Sequence, residues 1–93
     1  MPAAMSTIVI AADAWTSVIA SATAGTVGLN NRSGTTMLIR VDANLNISTD
    51  AATAPADQLA PGEYRAYALA SSDKVAARMI DASVEGDLTL RTP

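Results

Sequence analysis

Residues 35–48 constrain the fold more than any other stretch. They read Thr-Thr-Met-Leu-Ile-Arg-Val-Asp-Ala-Asn-Leu-Asn-Ile-Ser. Met37, Ile39, Val41, Ala43, Leu45 and Ile47 share one parity. Arg40, Asp42, Asn44, Asn46 and Ser48 share the other, with Leu38 alone out of place. Side chains alternate across a strand with period two, so this is a half-buried β-strand with the apolar set turned inward. The run is long for one strand. A bend or tight turn near residues 42–44 would make it a hairpin and leave the inward set nearly unchanged.

The rest of the chain reads as shorter strands that could pack on this one. Residues 1–6 are small and mixed, with Pro2 early, and read as a loose arm. Residues 7–11 are a β-branched run, either an edge strand or an arm that pairs with a neighbour. Residues 15–22 are alanine-rich enough to suit a helix, but Thr16, Val18 and Ile19 favour a strand, whose facing is left open. Residues 26–30 form a short strand with Val27 and Leu29 inward. Asn30-Asn31-Arg32-Ser33-Gly34 is a turn signal, since Asn and Gly tolerate positive φ.

Residues 49–61 read as a loop with one helical turn at 56–59 and Leu59 as its anchor in the core. Pro61-Gly62 is a turn dipeptide. Residues 63–70 are a strand with Tyr64, Ala66 and Ala68 on one face and Arg65, Tyr67 and Leu69 on the other. Residues 71–82 fit either a helix capped by Ser72 or a strand with Val75, Ala77 and Met79 inward and Ala76, Arg78 and Ile80 outward. The strand is the expectation, with residues 71–74 as a hairpin loop. Residues 85–87 are a turn, residues 88–90 a last strand with Leu88 and Leu90 inward, and residues 91–93 a fraying end. The sum is an all-β chain, a small antiparallel β-sandwich or barrel of about seven or eight short strands. Residues 15–93 make the domain, and residues 1–14 an N-terminal arm or edge strand.

Composition narrows what such a domain can do. The 93 residues are one domain. Its hydrophobic fraction of 49% includes much alanine, and its aromatics are Trp15, Tyr64 and Tyr67 alone. Burial contributes roughly 25 cal/mol per Å² of apolar surface, so an alanine-rich core is expected to be thin. Small domains of that kind need a staple. Without cysteine there are no disulfides or thiolate metal sites, and without histidine the commonest transition-metal ligand and general base are missing. Association with copies of itself or with another surface is the remaining staple. The net charge of −3 and the lack of a basic patch argue against nucleic acid. No apolar run approaches the roughly 20 residues of a membrane span. Residues 1–14 lack a basic start and carry Asp13, so they do not read as a signal peptide. Synthesis in the cytoplasm is the expectation.

No constellation of catalytic residues emerges. Asp42, Asn44, Asn46 and Asp50 begin like a calcium loop, but Ile47 and Thr53 stand where the EF-hand needs Gly and Glu. The plainer reading is an outward polar strand face. Asp13, Asp57, Glu63, Asp73, Asp81, Glu85 and Asp87 fall mostly in loops, and nothing selects a glycosidase-like pair among them. Serines and threonines have no histidine to activate them, and Lys74, the only lysine, lies in a turn. Trp15 reads as a core anchor, with a stacking platform for sugar as the alternative. Arg40, Arg65, Arg78 and Arg91 fall about one per strand and could pair with acids of a neighbouring strand or chain. The candidate interface residues are therefore Thr7, Ile8, Val9 and Ile10 of the apolar edge, together with Arg40, Arg65 and Arg78. No catalytic, cofactor or metal residue is assigned.

From Trp15 onward the chain resembles small phage virion proteins of the head decoration or cement class. The likeness lies in the order of Trp15-Thr-Ser-Val-Ile, Val27-Gly-Leu-Asn-Asn, a Val/Ile strand over residues 37–41, Leu59-Ala-Pro-Gly-Glu, Lys74-Val-Ala-Ala-Arg and Gly86-Asp-Leu-Thr-Leu. The resemblance implies a β-sandwich homotrimer on the capsid surface of a bacteriophage virion. There it would be a structural protein that stabilises the head by bridging neighbouring copies of the major capsid protein, with no enzymatic activity and no cofactor. The alternative is a carbohydrate- or receptor-binding β-sandwich module of a virion tail or fibre.

Overall fold

The computed structural model describes residues 4–20 and 25–92. Eight strands follow one another: β1 (Ala4–Ile10), β2 (Thr16–Ile19), β3 (Gly25–Asn31), β4 (Met37–Asp42), β5 (Asp57–Leu59), β6 (Tyr64–Leu69), β7 (Lys74–Met79) and β8 (Gly86–Thr92). They form two four-stranded sheets, in the orders β1-β8-β3-β6 and β2-β7-β4-β5. All strand pairs are antiparallel. The protein is an all-β sandwich, as its alternating pattern requires.

The core lies between the sheets. Val27, Leu29, Leu88 and Ile10 from one sheet meet Met37, Ile39, Leu59, Val75, Ala77 and Met79 from the other, each at most 1% exposed. Strands β4 and β8 bury alternate residues, as read from sequence; in β3 Val27 and Leu29 are buried as read, and Gly28 between them is buried too. The core is not alanine-rich, contrary to the compositional expectation. Ala66, Ala68 and Ala70 are exposed, and branched aliphatics and methionine fill the interior. An overall percentage does not say which side of a strand its alanines occupy.

β1 is a full member of its sheet. It pairs with β8 from Ala4↔Thr92 to Ile10↔Gly86, and Ile10 is fully buried. Of the two readings of this segment, the structure has the edge strand and not the free arm. Residues 4–6 belong to β1, while residues 1–3 lie outside the described residues. The same pairing holds Arg91 and Thr92 in β8, so that end does not fray; Pro93 lies outside the described residues.

The open facing of β2 is settled by a bulge. Ser17 pairs with Ala76 and Ile19 with Val75, leaving Val18 as the extra residue. A bulge lets consecutive side chains point inward, and both Val18 and Ile19 are buried. Residues 21 and 22, the end of the expected strand, lie outside the described residues.

The strand expected over residues 35–48 stops at Asp42. The side chain of Asp42 accepts the N–H of Asn44 at 2.9 Å and its carbonyl accepts the N–H of Leu45 at 3.3 Å, which turns the chain out of the sheet. The following loop folds back over the outer face of β2-β7-β4-β5. There Trp15, Leu45 and Ala76 make a second, smaller core with Leu38 and Ala54 against it. This accounts for Leu38, the residue off the pattern, and for Ala76, expected outward but fully buried. It also corrects Ile47, which is 43% exposed and not inward.

Three further expectations change. Residues 57–59 are strand β5, paired with Met37–Ile39 positions of β4, and not a helical turn. Residues 71–74 do not close a hairpin, because β6 and β7 belong to different sheets and the loop crosses between them. Residues 30–34 turn without any positive φ at a non-glycine residue; the positive-φ glycines are Gly25 and Gly62. Gly62, at φ 77°, takes the second central position of the Pro61-Gly62 turn as read. Residues 74–79 are strand, with Val75, Ala77 and Met79 inward.

Candidate functional site

The outer face of β1-β8-β3-β6 is open, whereas the 43–56 loop covers part of the opposite sheet. The register places its side chains in rows. Thr7, Thr89, Asn30 and Tyr64 lie in one row; Met5, Arg91, Gly28 and Ala66 lie in the next. Val9 and Asp87 lie beside the first row, and Thr26 and Ala68 beside the second. Most of these residues are small. The large ones are Met5, Val9 and Tyr64, 69%, 57% and 56% exposed, and Arg91.

Tyr64 does not stand upright on this face. Its ring lies across Gly28, where an added Cβ would come 2.7 Å from ring carbons Cε2 and Cζ. Glycine inside a strand weakens it by exposing backbone and giving nothing to pack. Here the missing side chain is the seat of the ring. A groove of about 290 Å³ results, bounded by Tyr64, Gly28, Asn30, Met5, Arg32 and Arg91. Arg32 reaches this face because its N–H donates to the Asp87 carbonyl at 2.9 Å, extending the β3–β8 ladder by one residue.

The two arginines of the groove differ electrostatically from the other three. Arg40 Nε lies 2.9 Å from Asp50 Oδ2 and its Nη2 3.7 Å from Asp42. Arg65 Nη2 lies 2.7 Å from Glu63 and Nη1 4.0 Å from Asp57. Arg78 sits over the Trp15 ring, 5.7 Å from its centroid. Among the described residues, Arg32 and Arg91 have no carboxylate within ion-pair distance. The groove thus presents two uncommitted guanidinium groups beside an exposed aromatic ring. An acidic group with an apolar neighbour is the chemistry that fits it.

The residues singled out from sequence do not form one site. Thr7 and Val9 stand on the open face, Ile8 is half-buried and Ile10 is in the core. Arg40 and Arg78 share the outer face of the opposite sheet. Arg40 is committed there, donating also to the Pro55 carbonyl at 3.1 Å. Arg65 lies at the seam between β6 and β5, where Tyr67 Oη donates to Asp57 Oδ2 at 3.1 Å. Burial pushes the Tyr67 phenol up, and the Glu63 hydrogen bond raises Arg65, followed by that of Tyr67. These contacts tie the two sheets together at that edge. Arg32, Gly28, Tyr64 and Arg91 were not selected from sequence.

The acidic residues serve the turns. Asp42, Asp50, Glu63, Asp73 and Asp81 each accept a backbone N–H two to four residues away. Such bonds favour the ionised form. Asp50 is held low first by Arg40 and then by the Asn46 N–H, Glu63 by the Ala60 N–H and then Arg65, and Asp81 by Ser83. In the calcium-like segment, Asn46 Oδ1 accepts Ser48 N–H at 3.0 Å, and Asp50 Oδ2 already accepts from Arg40 Nε at 2.9 Å and from Asn46 N–H at 3.0 Å. Among the described residues, no group of three or more His, Cys, Asp or Glu is placed to hold a metal ion. Trp15 is 5% exposed, with its indole N–H donated to the Ala51 carbonyl at 2.9 Å, so it is a core anchor and not a stacking platform. Comparison with known proteins finds no family model that matches the chain and no curated protein that matches it.

Proposed function

We propose that this chain is a non-enzymatic structural subunit that works by surface binding, as a decoration or cement protein of a phage head. In this reading it sits on the capsid surface as a homo-oligomer, a trimer by the resemblance, and bridges neighbouring major capsid proteins. The observation that carries it is the open face of β1-β8-β3-β6, where Arg32 and Arg91 lie beside Tyr64 without acidic partners among the described residues. Guanidinium and aromatic groups are enriched at the centres of protein interfaces. The commitment of so many carboxylates to turns and ion pairs supports a structural role. Many weak contacts on a symmetric shell add through effective concentration.

The test is cosedimentation with capsid shells that lack the protein. Shells should retain the wild type, and Arg91→Glu or Tyr64→Ala should lower the bound fraction at least several-fold without altering the circular dichroism. A bound fraction unaffected by both substitutions would refute this use of the face.

The exposed, flat Tyr64 ring favours one second reading, a carbohydrate- or receptor-binding module of a tail or fibre. Retention on immobilised acidic glycans that Tyr64→Ala abolishes, with no shell binding, would select it.

A further inference from the structure

β1 is an open edge without the devices that protect one. Natural edges are blunted by charge, proline, bulges or shortness. Among the outer strands, β5 has only three residues, β2 has four and carries a bulge, and β6 holds Arg65. β1 has seven residues, Ala-Met-Ser-Thr-Ile-Val-Ile, with no charge and no proline. Its register with β8 is unbroken, so no bulge bends it away. It ends its sheet, so one row of backbone N–H and C=O groups has no strand partner among the described residues.

The strand is also self-complementary. An antiparallel pair of β1 strands related by a two-fold axis through Thr7 sets Thr7 against Thr7. It sets Met5 of each copy against Val9 of the other, and Ile8 against Ser6. Met5 and Val9 are the two most exposed large apolar side chains among the described residues, at 69% and 57%. This one register covers both. A slip of two residues in either direction separates them, and a slip of one turns them to opposite faces.

We propose that the chain pairs with a second copy through β1, joining the two four-stranded sheets into one continuous sheet about a two-fold axis. Each Met5–Val9 row then runs from Arg91 on one copy to Asp87 on the other. These unlike charges stand about 14 Å apart at roughly 4.8 Å per strand, beyond a Debye length of about 8 Å. They therefore add little to affinity, which comes from backbone hydrogen bonds and the covered apolar pair. The second copy is the occupant favoured by the mutual cover of Met5 and Val9, the exposed apolar pair that this register brings together twice. The two-fold pairing does not depend on the capsid reading and differs from its trimer.

The experiment uses the full chain at tens of micromolar. Sedimentation equilibrium should give a dimer, and the melting temperature should rise with concentration. Thr7→Cys introduces the only thiol and should cross-link to a disulfide dimer under mild oxidation, since facing strand positions lie within disulfide range. Thr89→Cys, one strand inward on the same face, should not. The double variant Thr7→Lys/Val9→Lys changes only exposed residues and should raise the dissociation constant roughly tenfold or more while keeping the β circular dichroism. A wild-type monomer or trimer, or a dimer that the double variant leaves intact, would overturn the pairing. A dimer that binds no shell would uphold this pairing and sink the capsid reading. Shell binding by a persistent monomer would do the reverse.

Discussion

Replacing Asn31 should unfold much of what holds the candidate face in place. Asn31 ends β3 and is fully buried, the one buried polar side chain among the described residues. An amide side chain has two donors and an acceptor oxygen with two lone pairs, and all are used. Nδ2 donates to the carbonyls of Thr35 at 2.8 Å and Leu59 at 2.9 Å. Oδ1 accepts from Ser33 N–H at 2.9 Å and Ser33 Oγ at 2.6 Å. One side chain thereby fixes the turn that carries Arg32 and clips β3 to β5 of the opposite sheet.

The losses in Asn31→Ala are unequal. The Thr35 carbonyl takes over the single hydroxyl proton of Ser33, 2.9 Å away, once Asn31 Oδ1 no longer accepts it. Ser33 N–H is only partly buried and can turn to water. The Leu59 carbonyl bond is buried, so that acceptor is orphaned, at about 1–3 kcal/mol. With the other bonds at about 1 kcal/mol each, the variant should lose about 3–5 kcal/mol. That is a large part of the roughly 5–15 kcal/mol that stabilises a domain. Urea denaturation followed by circular dichroism should show a midpoint lower by about 2 M at an m-value of about 2 kcal/mol/M.

Asn31→Asp keeps the shape but points a carboxylate at two carbonyl oxygens. Its folded-state pKa must rise above the unfolded value of about 3.9. The folded state then binds the extra proton, so stability is greatest in acid and falls as pH rises towards the folded pKa. A loss under about 1 kcal/mol in Asn31→Ala, or a pH-independent Asn31→Asp, would refute the role assigned to this amide.

Ile39→Asp should unfold the domain and Ile47→Asp should leave it within about 0.5 kcal/mol, because Ile39 is 1% and Ile47 43% exposed; equal melting of the two would contradict the facing of β4. Trp15→Ala should lose about 3–5 kcal/mol and Trp15→Phe, which mainly drops the bond to Ala51, about 1 kcal/mol, both read from urea midpoints. Gly28→Ala should lift the Tyr64 ring, raising its rate of nitration while the melting temperature holds, since the ring is the far end of an exposed side chain; an unchanged nitration rate would count against the seat. Asp50, Glu63 and Asp81 have folded-state pKa values below their usual ones, so their contribution is complete above those usual values and lost as pH falls through the lowered ones. Asp50→Asn should therefore flatten the acid side of a melting-temperature profile.

The fold was legible wherever one face of a strand meets the core and the other meets water. Val27 and Leu29, Met37 and Ile39, and Leu88 and Leu90 are such pairs. It failed where both faces are covered or where the chain leaves the sheet without breaking parity. Leu38 and Ala76 face a second core that no local pattern announces. Leu45 keeps the parity of β4 but is buried against Trp15, after a turn made by the Asp42 side chain. The loop after β6 has the length and residues of a hairpin, yet it joins different sheets. Turn chemistry encodes a reversal, and not the sheet to which the returning strand goes.

The candidate face was hidden for a related reason. Its four residues come from four different sequence environments. Gly28 breaks a strand pattern and carries no chemistry; Arg32 lies in a turn; Arg91 lies at what reads as a loose end; and Tyr64 is one member of an alternating strand. Only the register of β8 on β3 and of β3 on β6 makes Arg91, Gly28 and Tyr64 neighbours. Register between distant strands is set by whole-face burial, which a single strand does not contain. The spacing of Arg40, Arg65, Arg78 and Arg91, about one per strand, invited a single inference for all four, that they pair with acids of a neighbouring strand or chain. Arg40, Arg65 and Arg78 are committed where they stand, to Asp50, to Glu63 and to the Trp15 ring. An arginine with a short-range partner is already satisfied and has little to offer a second molecule. The arginines to expect at an interface are those that folding leaves with neither a carboxylate nor an aromatic ring to hold them, and among the described residues this separates Arg32 and Arg91 from the rest.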